Sequence, residues 1–349
     1  MTRPGMPSPG PVAIWLVVCC VLVLATVLLG GGVRLTGSGL SMVDWKPLMG
    51  VVPPMDARAW AEVFEQYKAF PEYRLVYPDM DLEGFKFIYY MEYSHRVLGR
   101  VIGIVFFVPF LVFLCTGKLV PGLPGHLWLL LLLGAVQGLI GWYMVQSGLV
   151  DNPRVSQYRL ALHMLVAVLI YAYMVRIVCE LVIRRGPRDP VSATMGKIAL
   201  AAVLLMIVSG AFVAGTKAGF IFNTFPKMGA DWVPDQMMAL SPGWRNFLEN
   251  PVAIQFLHRL LAVGVLIAIL GYARQLGHST DPARKTTAGC LVITVAVQLG
   301  LGIATLLSGV PPVLGVAHQA GAMLLLTVVV VGNSLDGGIF PKDGRQKDG

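Results

Sequence analysis

Eight stretches of this chain, at residues 12–33, 95–116, 126–147, 158–183, 196–216, 254–274, 286–308 and 313–334, are almost wholly apolar. Each has the ~20 residues that a helix rising about 1.5 Å per residue needs to cross a bilayer core of about 30 Å. Hydrocarbon offers backbone N–H and C=O groups no water, so such spans close their hydrogen bonds internally as helices. The pattern predicts an all-α integral membrane protein with eight transmembrane helices. Composition excludes a soluble helical protein: 56% of the 349 residues are hydrophobic and 13% charged, against roughly a quarter charged in a soluble domain.

The net charge of +8 does not point to nucleic acid. No binding motif accompanies it, and Lys118, Arg184, Arg185, Arg188, Arg274 and Lys285 fall at or near short connections on the same side as both termini. Excess Lys and Arg marks the cytoplasmic side, so both termini are expected in the cytoplasm. No small-residue cleavage site follows the run at 12–33, and the start is not rich in Arg and Ser. It reads as a retained first span in a bacterial inner membrane. Cys19, Cys20, Cys115, Cys179 and Cys290 all lie in apolar runs without a CxxC motif, as small core or lipid-facing residues.

Two longer connections, 34–94 and 217–253, are expected outside. In the first, Asp56 is a helix N-cap, and Trp60, Val63, Phe64 and Tyr67 recur at helical spacing. A short amphipathic helix lying on the outer surface is predicted there. The polar, Gly-rich tail at 336–349 is predicted to be disordered.

The chain repeats itself. EYSHRVLGRVIGI at 92–104 returns as QFLHRLLAVGVLI at 255–267, an offset of 163. Gln137 and the pair Ser147 and Gly148 return as Gln298 and the pair Ser308 and Gly309. T-x-S-G at 36–39, then Pro47, Met49 and Gly50, returns as T-x-A-G at 216–219, then Pro226, Met228 and Gly229. His163 matches His318. Matches in one order divide the chain into a first half at 1–185, a second half at 186–335 and the tail. Four spans per half give both halves the same orientation, as tandem four-helix bundles related by a pseudo-twofold axis along the membrane normal.

Four of the six histidines follow the repeat: His95 and His163 in the first half, His258 and His318 in the second. Each stands near the start of an even-numbered span, so all four share one depth in the outer part of the membrane. A lone buried histidine is ordinarily a hydrogen-bonded core residue. Two same-depth pairs on facing helices suit a haem iron, gripped from both sides. Zinc would need three or four clustered ligands, and no HxxxH occurs. His126 and His278 have no repeat partner and read as interfacial bystanders. Arg96 and Arg259 follow His95 and His258 and are candidate partners for haem propionates; ordinary snorkelling is the alternative. Arg34, Arg100, Arg154 and Arg159 are weaker candidates of that kind.

The halves differ at one telling position. Glu92 stands one turn before His95, and its counterpart before His258 is Gln255. A carboxylate at a haem edge can move protons and an amide cannot. The first half is therefore expected to do chemistry and the second to hold a permanent redox haem. The alternative is that Glu92 orients His95 or pairs with Arg96.

The segments GGVRLTGSGLSMVDWKPLMGVVPP, FKFIYYMEYSHRVLGR, VSQYRLALHM, VAGTKAGFIFNTFPKM, QFLHR and GIATLLSGVPPVLGVAHQ closely resemble the haem A synthase family over nearly the whole chain. The resemblance implies an oxidoreductase that acts on a CH3 group for cytochrome oxidase assembly. Two successive hydroxylations of a haem O methyl, then loss of water from the gem-diol, give the formyl group of haem A. It further implies that His258 and His318 bind a tightly held haem b. His95 and His163 would bind or flank the substrate haem, and Glu92 matches the family's functional acid. Haem O synthase and oxidase assembly factors are the implied partners, with homo-oligomerisation left open. Some family members carry cysteine pairs in the outer loops after the first and fifth spans; this sequence has none, as in the proteobacterial or mitochondrial-type branch. Two other readings stay open on the residues alone. One is a di-haem cytochrome b subunit that shuttles electrons. The other is a transporter using histidine and Glu92 as a proton relay, which predicts helices broken at mid-membrane.

Overall fold

A computed structural model describes residues 10–42, 52–149, 153–183 and 188–339. Eight long helices in it are apolar enough to span a membrane: α1 (Gly10–Leu35), α4 (Leu82–Cys115), α5 (Leu123–Gln146), α6 (Gln157–Val182), α7 (Pro190–Thr216), α9 (Pro251–Gly277), α10 (Pro282–Leu307) and α11 (Pro312–Asp336). Short helices α2 (Ala57–Lys68) and α3 (Pro71–Val76) follow α1, and α8 (Asn246–Glu249) precedes α9. Among the described residues the β structure is one isolated bridge, Met228 with Asp231. Pro47, Met49, Gly50, Arg184, Arg185 and the tail from 340 lie outside the described residues.

The helix starts follow from the sequence. Asp189, Asn250 and Asp281 cap α7, α9 and α10 through their side chains, each followed by proline at the first helical position. Proline lacks only an N–H that would be orphaned there anyway. Pro109, inside α4, is different, because it frees the carbonyl of Val105. The Trp15 indole of α1 donates to that oxygen at 2.7 Å. In hydrocarbon an orphaned carbonyl would be costly, so a neighbouring helix supplies the missing donor.

In each half the four spans pack in a ring. α1 touches α4 and α6, and α5 touches both α4 and α6; α7 touches α9 and α11, and α10 touches both α9 and α11. Between halves, α6 meets α7, α11 meets α1, and α6 meets α11. Exchanging α1, α4, α5 and α6 for α7, α9, α10 and α11 maps this pattern onto itself. Across the seam Tyr171 Oη and Thr327 Oγ1 lie 2.9 Å apart, Gln319 Nε2 donates to the Val27 carbonyl at 3.0 Å, and Arg34 donates to the Ala214 carbonyl at 3.0 Å.

Two expectations need correction. The second span was expected to begin at 95, but α4 begins at Leu82. At 34 residues it is about 51 Å long, longer than a bilayer core of about 30 Å is thick. The reason is α2, which does not lie with a free apolar face on a membrane surface. Its Trp60, Phe64 and Tyr67 pack on Phe85, Ile88 and Tyr89 of α4. Two amphipathic helices cover each other, and the aromatic run that looked like loop becomes helix. At the other end of the bundle α11 runs on to Asp336, where Arg284 Nη2 donates to Oδ1 at 2.6 Å and Ser192 Oγ to Oδ2 at 2.6 Å.

Candidate functional site

All four repeat-matched histidines turn the Cε1 edge of the ring against a glycine of the preceding span. A Cβ added at Gly30 of α1 would stand 2.9 Å from His95 Cε1; at Gly141 of α5, 3.0 Å from His163; at Gly302 of α10, 2.9 Å from His318; at Gly210 of α7, 3.6 Å from His258. Gly30 and Gly210 share the offset of Thr36 and Thr216, and Gly141 and Gly302 that of Gln137 and Gln298. At Gly30, Gly141 and Gly302 a Cβ would crowd the imidazole, whereas at Gly210 it would make an ordinary van der Waals contact. His95 lies in electrostatic range of His163, and His258 in range of His318.

The surroundings of the rings suit metal ligands, whose second nitrogen is normally oriented by a neighbour. Ser209 Oγ lies 3.0 Å from His258 Nδ1, and the Gln137 amide 3.0 Å from His163 Nδ1. His95 Nδ1 and His318 Nδ1 are buried, facing the backbone of Thr26 and Gln298 without a well-formed hydrogen bond. Among the described residues no hydrogen bond engages Nε2 of His95, His258 or His318. No group of three or more His, Cys, Asp or Glu that could hold a bare metal ion occurs among the described residues. Paired imidazoles fit a metal whose other ligands arrive with it, as a porphyrin's do.

Over residues 13–330 the sequence matches the family described as cytochrome oxidase assembly protein. The chain belongs to this family. It is 47% identical over 330 residues to "Heme A synthase" of Nitrosospira multiformis, covering 92% of each chain. It is also 47% identical to "Heme A synthase COX15" of Arabidopsis thaliana, covering 92% of this chain and 74% of the relative. "Heme A synthase" of Paracoccus denitrificans is 41% identical, with 92% and 86% covered.

In this cytochrome oxidase assembly protein Glu92 is 3% exposed. Its Oε2 accepts from Ser41 N at 2.8 Å, Met42 N at 2.9 Å and Ser41 Oγ at 2.7 Å; its Oε1 accepts from Arg96 Nη2 at 2.5 Å. Hydrogen bonds of this number tie the segment after α1 to α4. Arg96 also donates to the Met42 carbonyl at 3.2 Å. The second half repeats the corner with reversed polarity. Gln255 Nε2 donates to the Phe222 carbonyl at 3.1 Å, and Arg259 Nη2 donates to the same oxygen at 2.9 Å. Met42 and Phe222 are themselves repeat partners. Both arginines thus carry loop carbonyls, and Arg259 keeps a buried Nε with no partner.

Of the weaker candidates, Arg34 bridges to the end of α7, and Arg159 donates to the Tyr143 carbonyl while lying 3.7 Å over the Tyr143 ring. His126 Nδ1 is hydrogen-bonded with Tyr173 Oη, away from the paired histidines. His278 borders an inner-side cleft with Arg188, Asp189, Asp281 and Arg284.

Sequence reasoning missed the glycine seats, although the same offsets that paired the histidines pair the glycines too. It also missed Glu72 of α3, which is 7% exposed and accepts from Tyr67 Oη at 3.0 Å. Burial pushes its carboxyl up to about 7; the charge of Glu92 adds to this, while the Tyr67 bond and Arg34 oppose it. Nothing local in the sequence marks Glu72 as buried, because the covering surface comes from α2 and α4.

Proposed function

We propose that this chain is a haem A synthase, an oxidoreductase that oxidises a methyl group of haem O to the formyl group of haem A by successive hydroxylations. The reading is supported by the relatives' names, and above all by one observation. Four imidazoles sit on glycines at repeat-matched positions, while a carboxylate stands one turn from the first pair only.

In this reading His258 and His318 hold a resident haem b between α9 and α11. His95 and His163 bind or flank the iron of haem O, the substrate, between α4 and α6. Haem iron supplies the redox chemistry, and the protein supplies position, proton handling and shielding from water. Glu92 is the group beside His95 that accepts a proton released as the methyl is oxidised. Ser41 Oγ, bonded to Glu92 Oε2, is a hydroxyl that can pass the proton on. Arg96, bonded to Glu92 Oε1, holds that side chain in place beside His95. Gln255 has no such capacity, which leaves the second half to electron transfer. Arg96 and Arg259 are the cations that propionates would share with the loop carbonyls. The protein works in a bacterial inner membrane with both termini in the cytoplasm, receiving haem O from a haem O synthase and passing haem A to oxidase assembly factors.

The test is to express the chain with a source of haem O and analyse the extracted haems. Haem A or its hydroxylated precursor should accumulate with the wild type. If neither forms while the haem b spectrum is intact, the chain is an electron-transfer cytochrome instead.

A further inference from the structure

Below the first histidine pair, α4 and α5 carry glycines on the faces that hold His95 and Gly141. On α4, His95, Gly99 and Gly103 follow one another at i, i+4 and i+8, on the face that continues to the buried Phe106 and Phe110. On α5, Gly141, Gly138 and Gly134 lie on the face that continues to the buried Leu130 and Leu127. These are core-facing sides, where helices are normally close-packed. Yet a Cβ built at Gly99, Gly103, Gly134 or Gly138 would meet nothing within 4 Å, and all four are exposed along the open seam between α4 and α5.

The second half serves as an internal control. The repeat places Ala262, Leu266, Val295 and Leu299 where the first half has these four glycines. Val295 is buried with Ile269 and Leu291, and Leu266 packs against the same core, while Leu299 is 38% exposed. α9 and α10 also pack against each other more extensively than α4 and α5 do. The gap has a floor: Phe110 meets Trp128 of α5 edge-on at 5.0 Å, and Phe106 lies 5.3 Å from Trp15. From His95 to Gly103 it runs about 12 Å along the helix axis. It begins at an imidazole whose Nε2 is unengaged and ends in apolar side chains.

We propose that this slot between α4 and α5 receives the farnesyl tail of haem O, and that Gly99, Gly103, Gly134 and Gly138 make the first half selective for a tailed haem. The proposal rests on reading the first histidine pair as the haem O site. A ligand there must be apolar, flexible and joined to a group that reaches the histidines, which a prenylated porphyrin satisfies. The second half, where Leu266 and Val295 occupy the equivalent positions, admits only a haem without such a tail. The sparse contact between α4 and α5 lets the tail enter sideways from the lipid.

The test uses the full-length protein carrying its resident haem, titrated with haem O and, separately, with haem B, which lacks the tail. Binding at the first half is read by difference absorbance. Gly103→Leu and Gly134→Val install the second half's own residues, one on each helix. Each should weaken haem O by about 30-fold, roughly what two or three displaced methylenes are worth, and leave haem B within about twofold. The resident haem spectrum reports that both variants fold. Gly264→Leu, on the opposite face of α9 where there is also open space, should change neither titration. Unchanged haem O binding in both variants would overturn the proposal and leave the slot to a lipid acyl chain. Equal loss of haem O and haem B would also overturn it, since the glycines would then be seating the macrocycle. If the wild type binds neither haem at the first half, the haem O site itself is misplaced, a failure distinct from the other two.

Discussion

The outer corner where α1 meets α4 and the one where α7 meets α9 share a backbone plan and differ in the direction of their hydrogen bonds. At the first, a carboxylate draws in the N–H groups of Ser41 and Met42; at the second, an amide donates to the carbonyl of Phe222. The arginine one turn on donates to the Met42 carbonyl in the first case and the Phe222 carbonyl in the second. A single exchange of acid for amide therefore changes what the corner can do with a proton while the loop stays tethered. In the proposed reading, this one exchange is what separates the work of the two halves.

The sharpest way to break this comparison is to remove ligands from one half at a time. His258→Ala and His318→Ala should abolish the stable haem b absorbance of the purified protein. His95→Ala should leave that absorbance in place and stop haem A formation. Loss of the resident spectrum in His95→Ala would mean that the halves are not separate sites.

Making the first corner like the second comes next. Glu92→Gln should lower conversion by about 100-fold or more, the scale of a lost acid–base group, and spare the spectrum; full conversion would remove Glu92 from the chemistry. The mirror change, Gln255→Glu, sets an ionised acceptor against the Phe222 carbonyl and should destabilise the second half by about 1–3 kcal/mol, seen as earlier thermal loss of haem b.

The glycine seats rank themselves. Gly30→Ala and Gly302→Ala, with a Cβ 2.9 Å from imidazole carbon, should disturb their sites more than Gly210→Ala at 3.6 Å. Haem retention on dilution is the readout, and a reversed order would show that the rings are free to shift.

The smallest effect concerns Glu72. Its carboxyl binds protons more tightly in the folded cap than in a free chain, rising from 4.5 to about 7 mainly through burial. The cap formed by α2 and α3 is therefore firmest below about pH 4.5 and loses stability as pH rises toward 7, where the buried group ionises beside Tyr67, Glu92 and Arg34. Glu72→Gln removes that loss. Proteolysis of the cap should become independent of pH over this window in the variant and speed up with pH in the wild type.

The eight spans were legible because each is written as about 20 apolar residues, and the fixed offsets that pair the histidines also pair the glycines they lie against. What stayed hidden depends on what lies opposite. The aromatic run at 85–93 reads as loop until α2 covers it. Asp336 reads as the start of a polar tail until Arg284 and Ser192 reach it. Arg96 and Arg259 were read for propionates, and only the folded loops show them holding Met42 and Phe222. The glycines under the imidazoles look like any small residues of a membrane helix, although their offsets carried the information.

Pro109 has a consequence for biogenesis. A solitary α4 in lipid would expose the oxygen that this ring strands, at a cost of several kcal/mol. The donor that heals it is an indole made ninety residues earlier in the chain. The N-terminal span must therefore wait in the bilayer for its neighbour to arrive. The order in which the ribosome delivers them is built into the way the defect is healed.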